Sequence, residues 1–510
     1  MSTTTDSAPV PETLGAQLVA SATRCGARPA YRFGRAELTY AELLQRAGGV
    51  AAGLRARGVD PGDRVVIELP KSLDMVIAVY AVLFAGAAYV PLDPHAPAGR
   101  RARVLASAAA RVHVHNSATA TATARTGESE FWSIAADDWQ ERATPVDRAA
   151  PDLDAYVLFT SGSSGEPKGI VHTHASALAC ARMMAAHAGL NATDRLSGIP
   201  PLFFDMSTFD LFASDTVGAL TVLFSEAHLR APASMTALLE TEAISVCYAT
   251  PTSLQQALDH GGLAQRDLTA LRRLIYAGEP MPVVALNRLI ELLRDDAVVT
   301  NAYGPTETNV SHMYDLPPGE PWPQSDVPIG PPCPGVAARI ESPDDTGAGE
   351  LLIAGATLMR GYLDDPERTT AATIEREGAR WYRSGDRVRR NDRGAYRYLG
   401  RLDRQVKLRG VRIELAEVEA AVCSLPGVAL ASAYVLRGEA AQPAGLRAAV
   451  LFDDTASSTG DDDLDNLLIA LRDLLPAAAV PQALEAVTSL PLTASGKVDH
   501  AAFATLRHDS

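Results

Sequence analysis

The sequence predicts an α/β fold, with a large N-terminal domain of parallel-type sheets, flanking helices and a small β-barrel module, followed by a small α+β C-terminal domain. Helical periodicity, as in YAELLQRAGGVAAGLRARG, alternates with short apolar runs such as RVVIEL and AAYVPL over most of the chain, which is typical of repeated βα units. From Gly349 onward, short strands with turn signals replace this alternation. After Arg412, two helical patterns separated by strands form a tail long enough for a domain of its own.

The composition is that of a globular protein. Hydrophobic residues make up 47% of the 510 residues and charged residues 21%, which excludes disorder as the main state. The 46 basic and 61 acidic side chains give a net charge of −15, and no long basic run offsets it. A nucleic acid or an anionic membrane is therefore not expected as a partner.

The cysteines and the amino terminus indicate a cytoplasmic protein. The five cysteines are scattered and never form a CxxC pair, which favours reduced, buried thiols over a disulfide framework or a zinc site. They are Cys25, Cys180, Cys247, Cys333 and Cys423. The amino-terminal MSTTTDSAPVPETLG lacks a basic region and reaches an acidic residue before any apolar run of signal length. We expect it to be a short disordered lead.

One uncharged stretch, Met75 to Leu92, approaches the length of a membrane span. It is rich in small residues and is interrupted by Gly86 and Pro91, so we expect a buried helix from about Met75 to Phe84 and then a short strand. Further along, His113 and His115 alternate with valines, which predicts a strand rather than a metal site. The low-complexity run HNSATATATARTGESE, which starts at His115, is expected to be a surface loop.

A glycine- and serine-rich loop between two apolar segments predicts a phosphate site. It lies within YVLFTSGSSGEPKGIVHTH. Its glycines let backbone amides converge on an anion, its hydroxyl groups donate further hydrogen bonds, and its lysine adds a cation. The loop matches neither a Walker motif nor the GxSxG elbow of hydrolases, and a flexible linker is the disfavoured alternative. The candidate phosphate-binding residues are Thr160, Ser161, Gly162, Ser163, Ser164, Gly165 and Lys168.

Lysine is rare, so its positions are informative. Only four of the 46 basic residues are lysines. A planar guanidinium does not replace a compact ammonium where a single oxygen must be approached in a confined site. Lys168, Lys407 and Lys497 fall in glycine-containing turns, whereas Lys71 does not. We expect at least Lys168 and Lys497 to face phosphate or carboxylate groups.

An ordered series of motifs from Leu38 to the end of the chain carries a family resemblance. The series is LTYAEL, AVLFAGAAYVPLDP, LFTSGSSGEPKG, NAYGPTE, GELLIAG, YRSGD, GRLDRQVKLRGVRIE and LPLTASGKVD. With these motifs the chain resembles an adenylation domain of the acyl-adenylate-forming (ANL) superfamily, which includes nonribosomal peptide adenylation domains, acyl-CoA synthetases and firefly luciferase. Within that group it is similar to stand-alone nonribosomal peptide synthetase-type domains, in particular L-prolyl-AMP ligases.

The resemblance implies a large ATP- and amino-acid-binding domain over residues 1–402 and a small mobile lid domain over residues 403–510. Asp403 resembles the hinge between them, and an ordinary turn residue is the alternative. In one orientation the small domain brings Lys497 to the reacting groups. In the other it presents the face around Lys407, Leu408, Arg409 and Gly410 for transfer of the acyl group to a thiol.

The resemblance also implies ATP and Mg²⁺ as cofactors and the attack of a substrate carboxylate on the α-phosphorus of ATP, which gives an acyl-adenylate and pyrophosphate. Thr306 resembles the residue that touches the α-phosphate, Glu307 the carboxylate that holds Mg²⁺, and Lys497 the cation between the substrate carboxylate and the α-phosphate. Asn301 and Tyr303 resemble the residues that hold adenine, and Asp386 the ribose acceptor. The implied ATP-binding residues outside the glycine-rich loop are Gly278, Glu279, Asn301, Tyr303, Asp386 and Arg401.

The acyl pocket implied by the same alignment favours an amino acid. Asp205 of FFDMSTFDLF matches the aspartate that pairs with the substrate ammonium in amino-acid-activating members, and a helix-capping aspartate is the alternative. The other implied lining residues are almost wholly apolar, so a compact aliphatic amino acid is expected, and we favour L-proline. They are Met206, Phe209, Tyr248, Ile275, Ala277, Ala302, Val310 and Ser311.

The implied partner is a separate peptidyl carrier protein with a phosphopantetheine thiol, because no carrier motif is recognised in this chain. Valine, alanine or pipecolate analogues would be activated weakly, since an apolar pocket separates substrates that differ by one methylene by only ~1–3 kcal/mol. Two other hypotheses remain open from the sequence. One is a CoA ligase for a small carboxylic acid, and the other is a nucleotide-binding regulator that has lost catalysis.

Overall fold

The computed structural model describes residues 10–115, 130–133, 138–160, 167–323, 326–408, 411–437, 443–452, 461–491, 498, 500 and 503. Strands and helices are numbered along the chain. The described strands are β1 Pro29–Phe33, β2 Ala36–Thr39, β3 Arg64–Glu68, β4 Ala88–Pro91, β5 Val112–His115, β6 Glu130–Ser133, β7 Asp154–Thr160, β8 Lys168–Thr173, β9 Arg195–Gly198, β10 Leu220–Leu223, β11 Val246–Ala249, β12 Arg273–Tyr276, β13 Val298–Tyr303, β14 His312–Asp315, β15 Val336–Glu341, β16 Ala348–Gly355, β17 Gly361–Tyr362, β18 Thr373–Arg376, β19 Ala379–Arg390, β20 Tyr396–Arg401, β21 Gln405–Leu408, β22 Val411–Glu414, β23 Val428–Arg437, β24 Pro443–Phe452 and β25 Ala483–Ala486. The described α-helices are α1 Leu14–Cys25, α2 Tyr40–Ala56, α3 Leu73–Ala85, α4 Ala98–Ala108, α5 His174–His187, α6 Ser214–Val217, α7 Glu226–Arg230, α8 Pro232–Thr241, α9 Pro251–His260, α10 Val283–Leu292, α11 Pro366–Ala372, α12 Leu415–Cys423 and α13 Asp461–Leu474.

Two large sheets form the body of the molecule. Across the described residues, one sheet has the strand order β17-β8-β7-β4-β3-β5-β6 and the other the order β14-β13-β12-β11-β9-β10-β1-β2. In the second sheet, β13, β12, β11, β9, β10 and β1 are parallel, and antiparallel strands β14 and β2 form its edges. Helices cover these sheets, so the predicted α/β class is confirmed.

Helix α3 is the core of the first sheet's helical layer. It is buried at every residue from Met75 to Ala85. It begins where the Ser72 side chain accepts a hydrogen bond from the Met75 amide, and it ends at Gly86, whose φ of 79° suits glycine. The expected buried helix and the strand that follows it are thereby confirmed. In the part of the chain that the structure describes, no helix is both long and apolar enough to span a membrane.

A five-stranded sheet, within the described ranges, follows the large sheets and contains β15, β16, β19, β18 and β20. It corresponds to the predicted small β module. After it come the hairpin β21–β22 and a sheet of β23, β24 and β25. Helices α12 and α13 pack with these last strands around a hydrophobic cluster of their own. The domain boundary between residues 402 and 403 stays a prediction.

Several local expectations have a definite outcome. His113 and His115 lie in strand β5, as predicted, and His113 Nε2 lies 2.8 Å from Glu68 Oε2. Most of the low-complexity run, residues 116–129, lies outside the described residues. Helix α1 begins at Leu14, inside the segment expected to be disordered, because the Thr13 side chain caps it. The cysteines are free, but the expectation that all are buried is wrong, since Cys423 is exposed and Cys25 is partly exposed.

Candidate active site

A cleft of about 2150 Å³ lies where the carboxyl ends of β9, β11, β12 and β13 meet the hairpin β21–β22. Parallel strands present their carboxyl ends at the same edge of a sheet, which is where open α/β sheets bind ligands. The loops that follow these strands carry most of the residues singled out in the sequence. The hairpin closes the cleft from the opposite side through Lys407, Val411 and Arg412.

Asp205 lies on the cleft wall. Its loop follows β9, and its carboxylate accepts a hydrogen bond of 2.7 Å from the Thr306 hydroxyl. Burial raises the pKa of Asp205 above its usual range, although the Thr306 hydrogen bond and the Lys407 ammonium act in the opposite direction. Asp205 therefore presents a partly buried carboxylate to the cleft, at a position where a cationic group of a ligand would stabilise its charge.

An apolar surface extends from Asp205 into the cleft. The rings of Phe209 and Tyr248 meet edge to face, with centroids 5.4 Å apart. The residues predicted for the pocket that line the cleft with Asp205 are Met206, Phe209, Tyr248, Ala277, Ala302 and Val310. This surface has the shape and chemistry of a site for a small aliphatic group.

Two residues predicted for the pocket do not lie on the described cleft surface. Ile275 is buried in the apolar cluster that supports the pocket residues. Ser311 is fully buried, and its hydroxyl lies 3.3 Å from the Tyr303 carbonyl oxygen and 2.9 Å from His312 Nδ1. Ile275 shares its apolar cluster with Ala277, so it is covered by neighbouring side chains, and the motif alignment alone does not show which side chains are covered in this way.

Helix α5 adds pocket residues that the sequence motifs missed. Cys180 and Met184 line the cleft beside the apolar residues. They are four residues apart and therefore lie on the same face of the helix. The apolar face of HASALACARMMAAH was the available signal, but such a face is more often plain core than a binding surface.

Among the residues implied for adenine and ribose, Tyr303, Asp386 and Arg401 form a connected group, and Asn301 bonds elsewhere. The Tyr303 hydroxyl donates to the Asp386 carboxylate, whose other oxygen lies 2.9 Å from Arg401. Arg401 Nε in turn lies 2.8 Å from Asp403, so the proposed hinge contacts the proposed nucleotide site directly. The Asn301 side chain donates to the Pro328 carbonyl at 2.9 Å.

Gly278 and Glu279 follow β12 on the same cleft wall. Gly278 has a φ of 95°, a conformation that favours glycine. The Glu279 carboxylate accepts hydrogen bonds from the amide and the hydroxyl of Thr252, at 3.2 and 2.6 Å. Burial raises the pKa of Glu279.

Glu307 lies at the centre of a charged cluster. It is fully buried and accepts hydrogen bonds from the Tyr362 hydroxyl at 2.8 Å and from Lys168 at 3.3 Å. Arg412 Nη1 lies 3.1 and 2.9 Å from its two oxygens. Burial alone would raise the pKa of Glu307, but Arg412 and Lys168 hold it well below its usual range. Lys168 therefore faces a carboxylate, as expected.

Glu307 does not fit a magnesium ion in this arrangement. A carboxylate is a suitable ligand for Mg²⁺, but the Arg412 guanidinium takes both of its oxygens. Across the described residues, no group of three or more His, Cys, Asp or Glu side chains could hold a metal ion. A guanidinium thus stands where the resemblance implies a metal ion.

The hairpin β21–β22 directs two further residues at the cleft. Lys407 is on the cleft surface, and burial lowers its pKa, whereas Asp386 and Asp205 oppose this effect. Arg412 reaches Glu307 from the second strand of the same hairpin. The importance of Arg412 was missed, although the residue stands in GRLDRQVKLRGVRIE, because its contact depends on how the hairpin docks.

Part of the predicted phosphate-binding loop and of the predicted lid lies outside the described residues. Thr160 ends β7 and pairs in register with Lys168. The remaining loop residues, Ser161, Gly162, Ser163, Ser164 and Gly165, lie outside the described residues, as do Arg409, Gly410 and Lys497.

Comparison with known families gives a direct match. The family of AMP-binding enzymes matches residues 18–363. The chain belongs to this family. The AMP-binding enzyme is 34% identical over 490 residues to phenyloxazoline synthase MbtB of Mycobacterium tuberculosis. The match covers 93% of this chain and 33% of that protein, so this chain spans about a third of that relative's length.

Another relative matches over nearly its whole length. The L-proline--[L-prolyl-carrier protein] ligase of Pseudomonas fluorescens is 32% identical to the AMP-binding enzyme over 483 residues, which are 92% of this chain and 94% of that protein. Among solved structures, IdnL1 has a TM-score of 0.79 at 26% identity, with 95% of this chain and 100% of that chain covered. NpsA-ThdA of Klebsiella oxytoca, an artificially fused adenylation–PCP di-domain, has a TM-score of 0.79 at 21% identity, with 93% of both chains covered, and so shares the fold.

Proposed function

We propose that this AMP-binding enzyme activates an amino acid, L-proline above others, as the aminoacyl-adenylate and transfers it to the phosphopantetheine thiol of a separate carrier protein. The observation that carries the proposal is the position of Asp205 at the head of an apolar cleft wall. A partly buried carboxylate requires a cationic partner. The ammonium group of an amino acid supplies a direct partner, whereas a fatty or aryl acid leaves Asp205 with only the Thr306 hydrogen bond and the more distant Lys407 charge.

The remaining wall supports a compact aliphatic side chain. The pocket residues beyond Asp205 are apolar, with Phe209 and Tyr248 as the largest. A charged substrate side chain would lose its hydration there without a partner. The match with a proline-carrier protein ligase along 92% of this chain supports proline among the aliphatic amino acids and a carrier protein as the acceptor.

The proposed chemistry requires no enzyme nucleophile. The substrate carboxylate attacks the α-phosphorus of ATP, the new oxygen–phosphorus bond forms, and the bond to pyrophosphate breaks. Thr306, which donates to Asp205, links the amino-acid side of the cleft to the side proposed for the α-phosphate. Asp386 and Tyr303 hold the nucleoside, and Lys497 neutralises charge that grows on the reacting oxygens.

Transfer to the thiol is proposed to use the arrangement described above, with the hairpin β21–β22 in the cleft. In this arrangement Lys407 lies near the proposed nucleotide site, and Arg412 forms an ion pair with Glu307. Adenylation is proposed to use the other arrangement, in which Lys497 serves the reacting groups and Arg412 has left Glu307. Rotation about Asp403 exchanges the two.

Exchange of labelled pyrophosphate into ATP tests the substrate. Across a panel of amino acids, proline is expected to give the fastest exchange, and valine, alanine and pipecolate about 10- to 200-fold less, because the apolar wall separates them by little more than methylene groups. Cyclopentanecarboxylate, which has the ring of proline without its nitrogen, serves as the matched control. Exchange with such nitrogen-free acids and none with proline would replace the proposal by a CoA ligase for small carboxylic acids.

Arg412→Met tests the proposed transfer arrangement. We expect transfer of the prolyl group to a phosphopantetheinylated carrier to slow by at least about tenfold, because a buried charge-assisted pair with Glu307 is lost. Pyrophosphate exchange should change little, since Arg412 leaves Glu307 before adenylation. Single-turnover loading of the carrier measures the first rate.

Arg447→Met provides the matched control for that substitution. Arg447 pairs with Glu485 at 2.9 Å between β24 and β25, and its own side chain does not line the described cleft. Its loss should leave both half-reactions unchanged. If Arg412→Met impairs exchange as strongly as transfer, Arg412 does not act in one arrangement only.

A further inference from the structure

A buried hydrogen-bond network lies directly beneath Thr306. His172, in strand β8, is fully buried, and its Nε2 lies 2.8 Å from the Thr306 carbonyl oxygen. Its Nδ1 lies 3.1 Å from the side-chain nitrogen of Asn309 and 3.2 Å from the Ser176 hydroxyl. The network therefore connects one strand of the first sheet to the segment that carries Thr306.

The network fixes the hydrogen-bonding roles of the His172 ring. The Tyr156 hydroxyl donates to the Asn309 side-chain oxygen at 3.0 Å, so the Asn309 amide nitrogen faces His172. Since an amide nitrogen donates, Nδ1 of His172 accepts, and Nε2 carries the proton and donates to the Thr306 carbonyl. The Tyr156 and His172 rings also lie against each other, with centroids 5.1 Å apart.

Asn309 occupies a strained backbone conformation that the network holds. Its φ is 52° and its ψ is −156°, a region used almost only by glycine that costs on the order of 1–3 kcal/mol. Such a conformation persists where the surroundings determine it. The Asn309 side chain accepts a hydrogen bond from Tyr156 and donates one to His172, and these two bonds hold the conformation.

Thr306 connects this network to the acyl cleft. While His172 holds its carbonyl group, its hydroxyl donates to Asp205 at 2.7 Å. A change in the position of the Thr306 backbone therefore shifts the hydroxyl that contacts Asp205. Effects of this kind are large, because displacement of reacting groups by about 1 Å costs roughly 100-fold in rate.

We propose that His172 is a positioning residue that sets the placement of Thr306, and through it of Asp205, with Asn309 and Tyr156 as its supports. This inference rests on the proposed function for the roles of Thr306 and Asp205. His172 itself touches no substrate. The other buried histidine of the same segment, His174, accepts a hydrogen bond of 3.3 Å from the Leu14 amide of helix α1 and does not reach Thr306.

The experiment compares His172→Leu, His172→Gln and the matched control His174→Leu by pyrophosphate exchange. We expect His172→Leu to lower kcat/KM for proline by about 10- to 100-fold, with KM for proline raised and KM for ATP changed less. His172→Gln should recover most of this loss, because its amide nitrogen donates to Thr306 and its oxygen accepts from Asn309. His174→Leu should retain the wild-type kinetic constants.

Thermal unfolding of each variant separates positioning from loss of fold. If His172→Leu does not fold, Tyr156→Phe replaces it, since that variant removes only the hydroxyl that orients Asn309, and a several-fold loss in kcat/KM is expected. Equal losses in the His172 and His174 variants, a glutamine variant no better than leucine, or wild-type constants in Tyr156→Phe would overturn the proposal. If the wild type activates a nitrogen-free acid instead of proline, the proposed function fails, and the same variants measured with that acid still decide the role of His172.

Discussion

Lys497→Ala is expected to lower the rate of aminoacyl-adenylate formation by about 10²–10³-fold and to leave ATP binding nearly intact. The reason is that its ammonium neutralises charge that develops only as the carboxylate attacks the α-phosphorus. Lys497 lies outside the described residues, so this expectation rests on LPLTASGKVD and on the chemistry. Pyrophosphate exchange measures the rate, and nucleotide titration measures binding. An equal loss in the exchange rate and in ATP affinity would show that Lys497 binds ATP in the ground state.

Lys407→Ala is the informative comparison for that variant. Lys407 already lies on the cleft surface, where burial lowers its pKa and the carboxylates of Asp386 and Asp205 act in the opposite direction. We expect its loss to slow transfer to the carrier thiol and to spare pyrophosphate exchange, the opposite of the Lys497 pattern. Opposite effects of the two variants on the two half-reactions would support the proposed rotation of residues 403–510.

Asp205→Asn is expected to lower kcat/KM for proline by about 100-fold. The asparagine keeps the shape of the side chain and still accepts the Thr306 hydrogen bond, but it no longer offers a charge to the substrate ammonium. Loss of one partner from a desolvated charge pair costs about 2–5 kcal/mol, and partial exposure of Asp205 places the effect near the lower end. Pyrophosphate exchange at varied proline concentration measures it.

Cyclopentanecarboxylate separates a lost ion pair from general damage to the pocket. The wild type should prefer proline strongly over this nitrogen-free analogue, and Asp205→Asn should abolish most of that preference. Substrate and enzyme then form a double-mutant cycle that isolates the pairwise interaction. Unchanged proline turnover in Asp205→Asn would show that Asp205 does not bind the ammonium group.

The architecture was predictable because local patterns determine it. Small residues and the interruptions at Gly86 and Pro91 distinguished the buried helix α3 from a membrane span. Alternation with valines placed His113 and His115 in a strand. Strand β7 was also evident, since the run YVLFT has the composition of a β-strand. These features depend on neighbours along the chain, which the sequence lists directly.

The rest of the site depends on contacts between distant segments. Arg412 and Glu307 are 105 residues apart, and no periodicity predicts that the hairpin brings them together. The alignment also counted Ile275 and Ser311 as pocket residues and omitted Cys180 and Met184, because a motif shows neither which side chains are covered by others nor which helix packs beside the pocket. The His172 network was missed because a single histidine in an apolar strand is usually plain core.

The contact between Arg412 and Glu307 has a consequence for the unliganded enzyme. This ion pair satisfies the buried Glu307 carboxylate without any bound molecule, so the empty enzyme has no electrostatic need to leave the docked arrangement. Under the proposed role of Glu307, an incoming nucleotide competes with a side chain of the protein itself. The apparent affinity for nucleotide is then the intrinsic affinity multiplied by the fraction of molecules in which Arg412 has left Glu307.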